Sequence, residues 1–321
     1  MKALVNTPKA SAPVERREVP EPSPAPHEAL IAVHAFSLNR GELTLMRIRP
    51  EGWQPGQDVS GVVLQAAADG SGPTAGTRVV GLVDGNGWAE RAAVSTDRLA
   101  ALPDQVGFGA AAALPVAGLT ALRTLRHGAP LLGRRVLITG AAGGVGNLAV
   151  QLAARSGAEV TAIAAGAARG QPLAALGAHA VVGDIAKAAG KYWLILESAG
   201  GASLKAALGR LEPKGTVVMF GNSSGEETAL SFRDFGGANN SRLQSFHSFA
   251  SGPEEAFAPD LTLLAGLVGS GAWPVPLAPG CARGPRLARR SQPRPKVNPG
   301  RSPPIPPKHP RLSSRKSPAL Q

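Results

Sequence analysis

Arg135-Val136-Leu137-Ile138-Thr139-Gly140-Ala141-Ala142-Gly143-Gly144-Val145-Gly146 reads as a buried strand, a glycine-rich turn and the start of a helix. Val136, Leu137 and Ile138 are the continuous apolar run of a parallel strand covered on both faces. The glycines let the backbone approach a ligand closely. The N-terminal end of the helix presents free N–H groups and the positive end of its dipole. That order fits a dinucleotide pyrophosphate. Against the G-x-G-x-x-G template, Ala141 stands in the first place and Gly143 and Gly146 in the second and third. Downstream, Val145, Leu148, Ala149 and Leu152 recur at helical spacing, Gly157 closes the helix, and residues 159–163 read as a second strand. One βαβ unit is complete in about 30 residues. The competing reading is a glycine-rich turn of another α/β fold, which the surrounding strands and helix argue against.

The alternation continues. The pattern predicts a short helix over 173–176 capped by Gly177, then strands over 180–182 and 193–198. A helix over 204–211, a strand over 215–221 and a sixth strand over 243–246 follow. Strands alternating with helices imply a doubly wound parallel sheet. Ligands of such sheets bind beyond the carboxyl ends of the strands. Residues 140–145, 166–169, 198–201 and 221–224 therefore surround one crevice. An acidic residue at the end of the second strand would hold the 2′-OH of NAD, whereas an Arg there suits the 2′-phosphate of NADP. No Asp or Glu occurs between Glu159 and Asp184, and Arg169 is the one charged residue of that window. Its planar fork matches phosphate oxygens. The expectation is NADPH rather than NADH, against the plainer reading of Arg169 as a solvated loop residue.

The first 120 residues differ in texture. Short β-like runs at 30–33, 59–64 and 78–83 alternate with Gly and Pro punctuation, which reads as a compact, mostly β domain. Residues 108–122 are apolar and Ala-rich but broken by Pro115 and Gly118. They are too short for a membrane span and are expected to be helices joining the two domains. The N-terminus runs straight into polar, Pro-rich sequence with no signal peptide in view, so the expected location is cytoplasmic.

As a set, in order, several segments carry a resemblance. They are residues 37–43 (SLNRGEL), 55–63 (PGQDVSGVV), 76–81 (GTRVVG), 87–90 (GWAE) and 113–121 (ALPVAGLTA), with the 140–146 turn and 221–225 (GNSSG). The chain resembles the zinc-independent medium-chain dehydrogenase/reductases, the quinone oxidoreductase (zeta-crystallin-like) group, over residues 1 to 273. The resemblance implies a GroES-like substrate and catalytic domain over 1–119 and a Rossmann NADP-binding domain over 120–273. It implies NADPH in the cleft between them, and hydride transfer to a quinone or another α,β-unsaturated carbonyl. Carried over by match, Asn39 is the catalytic candidate beside nicotinamide and substrate, and Thr120 contacts the cofactor at the domain junction. Ala142, Gly143, Gly144 and Val145 hold the pyrophosphate, and Ser198, Gly221 and Asn222 flank the ribose and nicotinamide. For Asn39 and Thr120 the residues alone support hydrogen bonding in a loop or helix cap equally well. Relatives commonly form homodimers through the edge of the nucleotide-domain sheet.

Metal is argued against by composition. Catalytic zinc in this fold is held by Cys and His, and Cys281 is the sole cysteine. Zinc-bearing relatives carry a His-Glu pair where this chain has Gln57-Asp58, and the six histidines lack metal-ligand spacing. A single cysteine also fits a reducing compartment. No paired carboxylates or Ser/His/Asp set stands out, so hydrolysis is not expected. Alignment of hydride donor and acceptor is the protein's main task, with a donor such as Asn39, or solvent, left to stabilise the enolate.

The resemblance stops at the tail. Residues 274–321 hold 13 Pro and 11 Lys or Arg but no Asp, Glu, Phe, Trp or Tyr. Of the chain's 34 basic residues, 23 lie outside it against all 22 acidic ones, so the tail carries +11 of the net charge of +12. Such a composition buries no core. Three readings compete: a shifted reading frame in a GC-rich gene, which the abrupt switch after Trp273 favours; a basic arm that meets nucleic acid or acidic surfaces; and a Pro-rich docking segment. Without aromatic residues among the charges there is no stacking platform for single-stranded nucleic acid, and nucleic-acid binding through the tail is the weaker alternative function. The family would here return to the first domain with a helix and final strands. Their loss predicts exposed apolar surface on that domain, reduced stability, and a cofactor-binding relative without turnover as the alternative function.

Overall fold

The computed structural model describes residues 1–8, 12–247 and 256–275. The basic tail beyond Val275, Cys281 included, lies outside the described residues.

The first domain is β-rich. Strand β1 (Lys2–Asn6) pairs antiparallel with β2 (Val14–Glu18). Strand β3 (Glu28–Phe36) alternates inward Ala29, Ile31, Val33 and Ala35 with more exposed residues, the period-two pattern of a half-buried strand. Helix α1 (Arg40–Ile48) follows, then β4 (Asp58–Gln65), β5 (Arg78–Leu82), β6 (Arg91–Ser95) and β7 (Leu99–Ala101). The five longer-range partners form an antiparallel sheet in the order β6-β3-β4-β5-β7. Ile31, Val33, Val59, Val63, Val79 and Val94 make its core. Leu38, Leu43 and Ile48, around α1, stay exposed.

Helices α2 (Phe108–Ala112) and α3 (Pro115–Arg126) join the domains. Pro115 sits in the first turn of α3, where its missing N–H has no helical partner to lose. The expected boundary between residues 119 and 120 falls inside α3.

The second domain is doubly wound. It runs β8 (Arg135–Ile138), α4 (Gly144–Arg155), β9 (Glu159–Ile163), α5 (Ala167–Ala175) and β10 (Ala180–Val182). It continues with β11 (Tyr192–Glu197), α6 (Gly201–Leu208), β12 (Leu211–Met219) and β13 (Arg242–Ser245). All six strands are parallel, in the order β10-β9-β8-β11-β12-β13. Strand order reverses between β8 and β11, which opens a crevice beyond their carboxyl ends. Two boundaries differ from the sequence expectation. Leu211 opens β12 rather than closing α6, because α6 already starts at Gly201. Helix α5 starts six residues before Leu173 and runs through Gly170 and Pro172, residues that read as breakers.

Helix α7 (Ala258–Gly269) returns to the first domain. Phe257 N donates to Asp97 O at 3.1 Å, and the Arg123 and Arg98 guanidinium groups lie 4.3 and 5.5 Å from the Phe257 ring centroid. Asp260, buried, accepts from Arg123 Nε and pairs with Arg126 Nη2, each at 2.7 Å. Leu261, Leu264 and Trp273 are fully buried in the core shared with α3 and α4, each stabilising the return by about 1.5–3 kcal/mol.

Candidate active site

The glycine-rich turn is shaped by two close approaches. Gly140 has φ +58, a left-handed conformation that L side chains rarely adopt. A methyl group on Gly146 would lie 2.3 Å from Gly140 O and 2.6 Å from Ala141 Cα, so α4 packs directly on the end of β8. A methyl group on Gly144 would meet only Ala117 Cβ, at 3.9 Å. The first turn of α4 thus opens into space beside Gly144, with Ala142 leading into it; Gly143 N closes the turn by donating to Gly140 O at 2.8 Å.

The loops after β11 and β12 join this turn. Glu197, fully buried at the end of β11, accepts from Thr139 Oγ at 3.2 Å, Ala199 N at 3.1 Å, Gly200 N at 2.9 Å and Ser203 Oγ at 2.8 Å. One carboxylate therefore fixes the turn into α6 and ties it to β8. Thr139 Oγ in turn accepts from Ser198 N at 2.9 Å. A methyl group on Gly140 would lie 2.6 Å from Ser198 Oγ, and one on Gly221 would lie 3.0 Å from Ser198 O. Ser223 N and Ser224 N donate to Ser198 O and Ala199 O. Asn222 packs on Gly200, whose added methyl would lie 2.0 Å from Asn222 Oδ1. Gly143, Gly144, Val145, Ser198, Gly221 and Asn222 therefore surround one crevice at the strand-order reversal.

The first domain supplies the opposite wall. Arg40 Nη2 donates to Ser223 O at 2.9 Å, spanning the two domains beside Asn39. Thr120, buried on α3, sits one turn beyond Ala117, the residue facing Gly144. Asn39 caps α1, and its amide is turned inward. Its Nδ2 donates to Asp58 Oδ2 at 2.7 Å and to Ser37 Oγ at 3.3 Å. The donor role considered for Asn39 is thus engaged within the protein in this conformation.

Behind Asn39 lie two buried carboxylates. Asp58 also accepts from Ser37 Oγ and, through Oδ1, from Val116 N at 2.8 Å, so it caps α3 from another element. Glu42 accepts from Asn39 N at 2.7 Å and Gln57 N at 2.9 Å, stapling the two segments together. Burial pushes the Asp58 carboxyl up to about 6, against the hydrogen bonds from Ser37, Asn39 and Val116. Burial pushes Glu42 up to about 7, with the nearby Asp58 charge adding to it and the backbone donors opposing it.

Arg169 stands apart. It is exposed in the first turn of α5, beyond the end of β9. A pocket of about 450 Å³ at the same end of the sheet is lined by Ala164, Gly166, Gly170, Gln171, Val181 and Val182, with Arg169 outside its lining. Sequence reasoning missed Glu42, Asp58, Thr139 and Glu197 as organising residues. Glu42 had a signal, an acid three residues after an N-cap Asn. Among the described residues no group of three His, Cys, Asp or Glu side chains is placed to hold a metal ion. No helix among them is long and apolar enough to cross a membrane.

Comparison with known proteins places these features. Residues 25–117 match the alcohol dehydrogenase GroES-like domain, and residues 144–265 match the zinc-binding dehydrogenase domain. A chloroplast envelope quinone oxidoreductase homolog of Arabidopsis thaliana is 38% identical over 168 residues, 47% of this chain and 51% of that protein. The chain spans about half the length of such relatives. The spectinabilin polyketide synthase system protein NorB of Streptomyces orinoci is 34% identical over 264 residues, 78% of this chain and 11% of that protein. An Escherichia coli quinone oxidoreductase, solved in complex with NADPH, superposes with a TM-score of 0.76 at 22% identity, covering 87% of this chain and 91% of the other.

Proposed function

Since the chain belongs to the medium-chain dehydrogenase/reductases, in their quinone oxidoreductase group, we propose that it reduces a quinone or another α,β-unsaturated carbonyl with NADPH and without a metal. The carrying observation is the opened first turn of α4 at the strand-order reversal, faced across the crevice by the Asn39–Asp58 wall.

The residues fit a dinucleotide. The space before Gly144 is a cradle that a side chain would fill. In this reading the amides of Gly144 and Val145 hold the pyrophosphate, while Gly143, its own N–H donated to Gly140 O at 2.8 Å, shapes the turn. Ser198, Gly221 and Asn222 flank the ribose and nicotinamide, and Thr120 closes the junction. The pocket at the ends of β9 and β10 takes the adenosine end, where Arg169 and the lack of any acid favour a 2′-phosphate. When bound, the nicotinamide supplies the hydride. The chain's own residues orient the two reactants and exclude water. Asn39 contributes by its fixed position rather than as a free donor. The acceptor is a small molecule. The edge strand β13 offers the backbone through which a second copy would extend the sheet.

One observation favours the second reading, binding without turnover. Among the described residues the first domain's larger sheet has five strands, with β6 and β7 as open edges. Thermal-shift titration with NADPH and NADH, followed by NADPH oxidation with a simple quinone, separates the two. Stabilisation by NADPH with turnover supports the first, stabilisation without turnover the second, and no stabilisation by either nucleotide removes both.

A further inference from the structure

Hydride addition to a conjugated carbonyl builds negative charge on the carbonyl oxygen. Zinc dehydrogenases meet it with a Lewis acid; a metal-free site needs a hydrogen-bond donor aimed at that oxygen. The polar groups of the first-domain wall are mostly spoken for. Asn39 Nδ2 and Ser37 Oγ donate to Asp58, and the Asn39 and Gln57 backbone N–H groups donate to Glu42. Tyr192, the one tyrosine, is fully buried on β11 with its hydroxyl bonded to Thr161 and Ala189.

Gln57 is the exception. It is 6% exposed. Its backbone is engaged at both ends, donating to Glu42 and accepting from Val83 N at 2.8 Å. Its side-chain amide has no hydrogen-bond partner among the described residues, nor is it sealed off like Asn6 Oδ1, Asn147 Oδ1 and Trp273 Nε1. A buried amide without a protein partner is destabilising unless solvent or a ligand meets it. Its backbone N–H shares the Glu42 carboxylate with that of Asn39, and the next residue, Asp58, reaches the N-terminus of α3. Gln57 therefore sits in the segment that is tied both to Asn39 and to the N-terminus of α3, the first-domain wall of the crevice.

Resting on the proposed reductase reading, we propose that Gln57 is a catalytic residue whose side-chain N–H donates to the carbonyl oxygen of the acceptor. As the β-carbon gains a hydride with its electron pair, the π electrons move to the oxygen and the Gln57 N–H holds the resulting enolate. A solvent proton then completes the reduction, and the nicotinamide cofactor is the two-electron reductant. Glu42 and Asp58 are positioning residues that fix the segments bearing Gln57 and Asn39.

The test uses the full chain and the variants Gln57→Met, close in size but without the donor, and Gln57→Leu. The first readout is the carbonyl stretch of bound cyclohex-2-enone with oxidised NADP present, by infrared difference spectroscopy. Wild type is expected to lower the stretch, and both variants to leave it near its value in an apolar solvent. The second readout is turnover of the enone with NADPH. Losing one such donor lowers kcat by about 100-fold, with the Kd for NADPH unchanged. An unshifted stretch in wild type, or equal shifts in wild type and a folded variant, overturns the assignment while leaving the reductase reading intact. Failure of wild type to bind NADPH overturns that reading and the assignment with it.

Discussion

Two alanine substitutions two residues apart, about 3 Å along the axis of α4, should have opposite effects. In Gly146→Ala the new methyl would lie 2.3 Å from Gly140 O, 2.6 Å from Ala141 Cα and 2.9 Å from Ala141 C. Ordinary contacts are about 3.5 Å, so the start of α4 must move roughly 1 Å from the end of β8. The atoms in the way are backbone, so no rotamer change relieves the clash. Overpacking of this kind costs about 1–3 kcal/mol, offset by the ~1 kcal/mol that Ala gains over Gly in a helix. With backbone atoms in the way the upper part of that range applies, about 2–3 kcal/mol, so the net loss of about 1–2 kcal/mol lowers Tm by roughly 2–8 °C for a chain of this size. The displaced amides lose the pyrophosphate as well. In Gly144→Ala the new methyl meets only Ala117 Cβ, at 3.9 Å. The apo protein should melt at the same temperature or up to roughly 3 °C higher, because nothing in the chain opposes the methyl. It fills the cradle instead, and NADPH binding should weaken about 10-fold or more, each tenfold being 1.4 kcal/mol. Differential scanning fluorimetry of the apo proteins and fluorescence titration with NADPH measure both. A Gly144→Ala protein that binds NADPH as wild type does would refute the placement of the pyrophosphate. A Gly146→Ala protein of full stability would refute the packing argument.

Other outcomes follow from the same geometry. Asp260→Ala removes the buried carboxylate that meets Arg123 Nε and Arg126 Nη2 and should cost about 1.5–3 kcal/mol, read as a lowered midpoint in urea with an unchanged slope. Asp58 and Glu42 titrate higher folded than unfolded, at about 6 and about 7. Between pH ~4 and those values the folded state holds more protons, so their contribution to stability is full below about 4 and lost as pH rises through 6 and 7. The urea midpoints of Asp58→Asn should therefore fall less than those of wild type between pH ~5 and ~8. Arg169→Gln should weaken NADPH about 10-fold and leave NADH unchanged; equal effects on the two nucleotides would return Arg169 to the solvated surface.

The sequence made legible what local pattern controls. The strand–turn–helix at 135–155 and the strand at 159–163 follow from continuous apolar runs, helical spacing and a terminal glycine, and the order of later elements follows from alternation. Boundaries failed where Gly and Pro act against their usual sense. Gly201 starts α6, and Gly170 and Pro172 sit inside α5, because tertiary packing rather than propensity holds those turns. The site was legible on the nucleotide side, where one motif carries it. On the facing wall it was not. Asp58 meets Val116 across 58 positions and Arg40 meets Ser223 across 183, and Asp260 finds Arg123 across 137. No periodicity links residues so far apart. Gln57 and Asp58 drew notice only as the absence of a zinc-binding pair, and the buried amide and carboxylate emerged from the packing.

The central claim is that the crevice between the Asn39 wall and the Gly140–Gly146 turn moves a hydride without a metal. The most direct measurement follows NADPH absorbance with a simple quinone, such as 1,4-benzoquinone, on protein dialysed against a chelator. The account predicts one equivalent of NADPH consumed per quinone reduced, at a rate unchanged by added zinc or by further chelation. Consumption that appears only when zinc is restored, or none at all from protein that binds NADPH, would contradict it.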